Sequence, residues 1–207
     1  MDLGTLVTES RYLIDELVEG HYEDLRLKAW INEGHADAAW RLPAPLLPKL
    51  GTTWTHHLSN GVDEYTFDQE YIQITAVGLR YGDSTGVVGD YRQAKLIPIT
   101  DWNKLDDSTF WQGTTKWPMA AIFGQLVYID PVPEGMSTNG MKIWYTRPPT
   151  DMVEDTDTPE IPSFSHRWLV QFAVYKAFVE DSDERQNGQL AKYLENFSRF
   201  QIQPGGR

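Results

Sequence analysis

Gly82-Asp83-Ser84-Thr85-Gly86 carries the G-x-S-x-G spacing that places a serine hydroxyl on a strained strand-to-helix elbow, ready to attack an acyl carbon. That chemistry needs a helix directly after the serine. Val87-Val88-Gly89-Asp90 follows instead, so the segment reads as a glycine-rich hairpin tip. The histidines are His21, His35, His56, His57 and His166, and none stands in H-E-x-x-H or H-x-H spacing. His56 and His57 are adjacent, and neighbours on a strand point to opposite faces, which argues against a shared metal. Asp151, Glu154, Asp155 and Asp157 offer oxygens to a hard cation but lack the D-x-D-x-D-G order of a dedicated calcium loop. They read as a solvated acidic loop beside a helix N-terminus. There is no cysteine, so disulfides, thiolate metal sites and cysteine nucleophiles are excluded. Neither a P-loop nor a dinucleotide fingerprint is present. The expectation is a chain that is not an enzyme and needs no cofactor or metal.

Aromatic residues offer binding rather than catalysis. Of the eight tryptophans, Trp102, Trp111 and Trp117 cluster with Tyr91 and Phe110. Three readings stay open for them: a carbohydrate platform, core packing in a small β domain, or a protein–protein contact. Asn196-Phe197-Ser198 matches a glycosylation sequon, but no secretion signal precedes it, and it reads as a chance match. The formal charge of −12 disfavours a fixed-site DNA binder, which needs a basic face. It is compatible with solubility alone, and with a wall along which a duplex slides without sticking. No run is long and apolar enough to span a bilayer.

These residues must be positioned by two kinds of element. Leu3, Leu6, Val7, Ile14 and Leu17 follow helical spacing, predicting a first helix over 3–19, capped by Asp2 or Thr5 and ended by Gly20. A second helix is expected over 22–41, with Leu27, Trp30, Ile31, Gly34, Ala38 and Leu42 on its apolar face. The small Gly34 and Ala38 allow another helix to approach. Pro43, Pro45 and Pro48 stop it. Strands follow at 71–77, 94–99, 126–129 and 141–145, with Asn60-Gly61 and Asn139-Gly140 as hairpin turns and a short helical turn at 101–105. After the acidic loop at 148–162, Pro162-Ser163 opens a third helix with the stripe Trp168, Leu169, Phe172, Tyr175, Lys176 and Val179. Asp181, Ser182 or Asp183 starts a fourth, with Leu190, Tyr193, Leu194, Phe197 and Gln201. Each helix pair alone is too small to hide its apolar face, so the two ends of the chain must pack together. The expected fold class is α+β: a four-helix bundle from residues 1–50 and 148–207, with a small antiparallel β-sandwich or barrel inserted at 51–147. Residues 198–207 are expected to form a flexible tail.

Against this outline three segments carry a resemblance. Residues 23–42, EDLRLKAWINEGHADAAWRL, resemble the second helix of tailed-phage adaptor proteins, with its L-x-x-W-I-N-E core followed by small residues. Residues 121–133, AIFGQLVYIDPVP, are similar to that family's strand–turn–strand ending in P-x-P. Ile143-Trp144-Tyr145-Thr146-Arg147-Pro148-Pro149 resembles its Y-x-R-P-P strand end. An acidic loop, a proline and two aromatic-rich helices complete the same order, so the resemblance covers nearly the whole chain. The resemblance implies a structural virion protein at the neck, made in the host cytoplasm. It implies a head-to-tail adaptor, usually twelve copies in a ring under the portal, with DNA passing through and a tail or stopper protein below. A different connector component or, on the tryptophan cluster, a carbohydrate-binding module are the alternatives. The 82–118 stretch, rich in Trp and Gly, departs from the family pattern. Family members commonly reach into the portal with the C-terminal segment. Here that segment holds Phe197, Phe200 and Ile202 ahead of a helix-breaking Pro204-Gly205-Gly206 and Arg207 after it, and these four are the expected portal-binding residues.

Overall fold

The computed structural model describes residues 1–16, 20–82, 89–102, 112–198 and 200. The chain divides into two compact units, Met1–Leu50 with Pro148–Arg207, and Gly51–Arg147. Among the described residues there are five α-helices and two four-stranded sheets.

In the helical unit, α1 (Leu3–Leu13) begins at Asp2, whose Oδ1 accepts the Thr5 N–H at 2.9 Å. The helix ends well before Gly20, because Asp15 turns into the left-handed region at φ +62°. Leu17 lies outside the described residues. Arg11 helps close this end, its guanidinium donating to the Tyr22 carbonyl at 2.8 Å and to Asp24 at 2.6 Å. Helix α2 (Asp24–Arg41) buries Leu27, Trp30, Ile31, Gly34, His35, Ala38 and Ala39, which is the expected face with two additions. A Cβ at Gly34 would stand 3.0 Å from the Phe172 ring, so the bare backbone there admits α4 (His166–Glu180).

Helix α4 packs against α1, α2 and α5 (Gln186–Ser198), and α1 against α2. This explains a departure from the expected stripe. Besides Leu169 and Phe172, α4 buries Val170, Ala173, Val174, Ala177 and Phe178, while Val179 is exposed and Trp168 half-buried. A helix touched from several sides has no single apolar stripe to read. Two start signals are also corrected. Pro162-Ser163 opens a 3-10 turn (Ser163–Ser165), and α4 itself begins only at His166. The Asp183 carboxylate accepts the Arg185 N–H at 2.7 Å and holds the turn before α5, which begins at Gln186.

The acidic loop is pinned rather than solvated throughout. The backbone carbonyls of Asp157 and Asp155 accept the N–H groups of Leu3 (2.8 Å) and Gly4 (2.9 Å) in the first turn of α1. The Asp157 carboxylate accepts the N–H groups of Val153 and Glu154, which hold its pKa below the usual carboxylate value.

Among the described residues the second unit holds eight strands: β1 (Gly51–Leu58), β2 (Glu64–Thr66), β3 (Gln73–Leu79), β4 (Arg92–Gln93), β5 (Lys95–Leu96), β6 (Met119–Phe123), β7 (Leu126–Asp130) and β8 (Ser137–Thr146). One sheet runs β1-β8-β3-β4, the other β2-β7-β6-β5. Leu58, Val77, Leu79, Met141, Ile143 and Tyr145 from the first meet Tyr65, Ala120, Val127 and Ile129 from the second in one core. The barrel reading fails, since among the described residues β1 pairs with β8 alone and β2 with β7 alone, leaving both sheets open. The sheets are not wholly antiparallel either. Strand β5 runs parallel to β6, because one extended segment leaves the edge of the first sheet as β4 and joins the second as β5. Four further expectations shift. The 94–99 strand divides into β5 and the start of a short helix α3 (Ile99–Trp102). The helical turn expected at 101–105 is described only to Trp102. The strand expected at 71–77 becomes β3, two residues later. Asn139-Gly140 is no hairpin turn: it lies inside β8, where the ladder with β1 shifts register. A Cβ on Gly140 would meet the Leu58 side chain at 2.6 Å, so close packing asks for the glycine.

Candidate interaction surface

Two pairs spaced i, i+4, Trp168 with Phe172 on α4 and Tyr193 with Phe197 on α5, interleave their rings. Centroids lie 4.9 Å apart for Trp168–Phe197, 5.2 Å for Phe172–Tyr193 and 5.1 Å for Tyr193–Phe197, all edge-on. The Tyr193 hydroxyl donates to Asp37 Oδ2 at 2.5 Å, and burial together with that carboxylate pushes the phenol pKa upward. Asp37 also receives the Arg41 guanidinium at 2.6 Å, and Arg41 lies 5.8 Å from the centre of the Phe197 ring. Asn196 Nδ2 donates to Gln171 Oε1 at 2.6 Å, a second tie between α5 and α4.

Beyond α5 the chain turns, with the Phe200 N–H donating to the Phe197 carbonyl at 2.9 Å. Phe200 then rests half-buried, 6.2 Å from both Phe164 and Trp168. Phe164 is 53% exposed on the 3-10 turn. The result is an aromatic shelf of Phe164, Trp168 and Phe200, open on one side. Phe164 also lines a groove of about 470 Å³ walled by Pro45, Leu46, Pro48, Ile161 and Pro162. His166 sits at that groove, buried, its Nε2 3.1 Å from the Ile161 carbonyl, with burial lowering its pKa.

Phe197 is only 2% exposed, so its side chain anchors α5. Phe200 stands on the shelf. Ile202 and Arg207 lie outside the described residues, as do Asp83, Ser84, Thr85 and Gly86 of the serine motif. Sequence reasoning passed over Phe164 and the proline-walled groove. The signal available was a bulky apolar residue directly after Pro162-Ser163, in the turn that precedes a helix.

The histidines are dispersed. His56 stacks on Trp54 at 5.0 Å, whereas His57 Nδ1 accepts the Asn139 N–H at 3.0 Å, as expected for neighbours facing opposite ways. His21 meets Asp181 at 3.2 Å. His35 is buried, its Nε2 accepting the Glu160 N–H at 3.1 Å, and burial lowers its pKa to about 4. Among the described residues no three His, Asp or Glu side chains gather as a cation cage. Nor do the described aromatics of the tryptophan cluster share one place. Trp102 packs on Tyr128 of the second sheet and Tyr91 on Trp144 of the first, while Trp117 is 72% exposed. None of them enters the core, so core packing does not account for them. Trp111 and Phe110 lie outside the described residues.

The segment Trp30-Ile31-Asn32-Glu33 now has a physical reading. Trp30 and Ile31 are buried. Asn32 clamps the acidic loop both ways, its Nδ2 donating to the Met152 carbonyl and its Oδ1 accepting the Met152 N–H, each at 2.9 Å. Glu33 pairs with Lys176 of α4 at 2.8 Å. Every member of the motif therefore serves to hold elements together.

The motif residues of this α+β chain thus build a scaffold, which fits a structural connector. The family profile described as SU10 adaptor protein matches residues 1–205, and the chain belongs to that family of phage head–tail adaptors. No curated protein matches it. Membership implies a virion component that interacts with portal and tail proteins, and a structural role in place of catalysis. Among the described residues no helix is long and apolar enough to cross a membrane.

Proposed function

We propose that this protein is a head-to-tail adaptor that assembles as a ring, of twelve copies by the family's habit, between portal and tail, with DNA passing through the centre. The family match over residues 1–205 carries the reading. The net charge of −12 supports it, because an acidic lining repels phosphate and leaves a duplex free to move. In this reading the helices of residues 1–50 and 148–207 act as one bundle that bears the portal contact, and a tail or stopper protein meets the other end of the ring.

The docking element is the C-terminal segment from Phe197 to Arg207. Phe197, being buried, fixes where the segment leaves α5. Phe200, Ile202 and Arg207 make the contact, together with Phe164 and Trp168, whose rings stand beside Phe200. The exposure of Phe164 supports this, since aromatic residues on an open shelf are the usual anchors of protein interfaces. The test is truncation after Phe197, which keeps the buried anchor. The shortened chain should keep its cooperative melting yet fail to co-purify with portal rings in a pull-down. Retention equal to that of the full chain would place docking on another surface.

A further inference from the structure

The two sides of the β unit are built differently. Trp54 of β1 meets Phe67 at 5.2 Å, and His56 of β1 meets Tyr65 of β2 at 5.6 Å, so β1 and β2 edge the same side. The opposite edges are β4 and β5, which are one continuous segment, Arg92–Leu96, tied to the first sheet by the Ala94 N–H on the Val77 carbonyl (2.8 Å) and to the second by the Lys95 N–H on the Pro118 carbonyl (2.8 Å). That side is closed by backbone. On the other side nothing among the described residues bridges β1 to β2 by main-chain hydrogen bonds.

Native sheets blunt their edges by short strands, charge or proline. Strands β2, β4 and β5 are two or three residues long, but β1 has eight, and Gly51-Thr52-Thr53-Trp54-Thr55-His56-His57-Leu58 contains no proline, Lys, Arg, Asp or Glu. Gly51, Thr53, Thr55 and His57 are exposed along it. Charge separates the two sides as well. From Gly51 to Leu79 there is no Lys or Arg, while Asp63, Glu64 and Asp68 are exposed beside β2. Arg92 and Lys95 are exposed on the β4–β5 segment, with Asp90 two residues before Arg92.

We infer that copies of this chain join head to tail through their β units, the open acidic β1–β2 side of one copy receiving the basic β4–β5 edge of the next. The occupant of the open side is thus a second copy, chosen by complementary charge and by the extended backbone that an unpaired edge requires. Because the two surfaces lie on opposite edges of the same sheets, the contact is heterologous. It repeats until it closes a ring or runs on as a filament. The inference deepens the ring proposed above and rests on that reading for closure.

Charge reversal tests it. Glu64→Lys with Asp68→Lys makes both sides basic, and Arg92→Glu with Lys95→Glu makes both acidic. Each double variant alone should sediment as monomer at concentrations where the wild type forms oligomers, and an equimolar mixture of the two should reassemble. The chain has no cysteine, so Thr55→Cys combined with Gln93→Cys adds a direct readout. The two positions lie on the outer strands of one four-stranded sheet, roughly 14 Å apart, too far for a bridge within one copy. Mild oxidation should give a ladder of multimers, where either single variant stops at dimer. Oligomers that survive both charge reversals, or a mixture that stays monomeric, overturn the contact and leave the ring standing on another surface. A wild-type chain that remains monomeric at every concentration, alone and with portal rings, sinks the ring reading as well.

Discussion

In the helical unit the buried polar side chains include Arg11, His35 and His166, which are cationic or take up a proton in acid, whereas among the described residues of the β unit the buried polar groups are the hydroxyls of Ser137 and Thr146 and the phenols of Tyr65 and Tyr145. The helical unit also holds its loop by side chains that reach into main chain: Asn32 to Met152, His35 to Glu160, Arg11 to Tyr22. The β unit has such ties too, from Tyr65 to Val62, Tyr81 to Pro131 and Ser137 to Arg80, beside an apolar core and strand ladders. The difference teaches where conditions can act. Acid should loosen the helical unit and spare the β unit, while loss of apolar volume should hurt both alike.

The largest effects should come from truncating equivalent core residues. Ile31→Ala and Ile143→Ala, both fully buried, should each cost about 2–5 kcal/mol in denaturant unfolding. A cost near zero at either position would break the symmetry between the two cores.

Acid comes next. His35 has a folded pKa of about 4, below the ordinary value of 6.5, so the unfolded chain takes up the proton first. Its contribution is complete above pH 6.5 and is lost as pH falls toward 4, amounting at most to about 3 kcal/mol. Hydrogen exchange should therefore quicken in residues 24–41 and 148–162 across that window before it does in β3 and β8. His35→Gln keeps an acceptor for the Glu160 N–H but cannot titrate, and it should flatten the slope. A slope unchanged in that variant assigns the acid sensitivity elsewhere.

Asn32→Ala should cost about 1–3 kcal/mol, because the Met152 N–H and carbonyl lose their partner in a half-buried place. The smallest effect expected is a gain. Nothing stands within 4 Å of a Cβ at Gly188 in α5, so Gly188→Ala should stabilise by about 0.5 kcal/mol in thermal melts.

How much was legible depended on whether one face or several decided a residue's fate. Leu27, Ile31, Gly34 and Ala38 of α2 were readable because that helix has one buried face. Val170, Val174 and Phe178 of α4 were not, because three helices touch it. Asn139-Gly140 misled because the dipeptide rule is local, and the reason for Gly140 is Leu58, far away in sequence. Strand β1 hid behind threonines and histidines whose alternation is polar on both faces. The parallel step from β4 to β5 has no sequence signature at all. At the interaction surface, Phe200 stood out as an apolar residue past its helix. Phe164 and the prolines of its groove were scattered until folding brought residues 45–49 beside 160–166.

The carbonyls of Asp155 and Asp157 that receive the first N–H groups of α1 lie about 150 residues further along the chain. During synthesis, at the roughly 5–20 residues per second typical of translation, α1 leaves the ribosome about eight to thirty seconds before its acceptors exist. Until then the first turn is held by Asp2 alone and the apolar side of α1 lacks α4 to cover it. The helical unit can therefore close only after the whole β unit has emerged. Newborn chains should expose α1 and α2 to chaperones throughout that interval, whereas the β unit, contiguous in sequence, is free to fold while the last two helices are still being made.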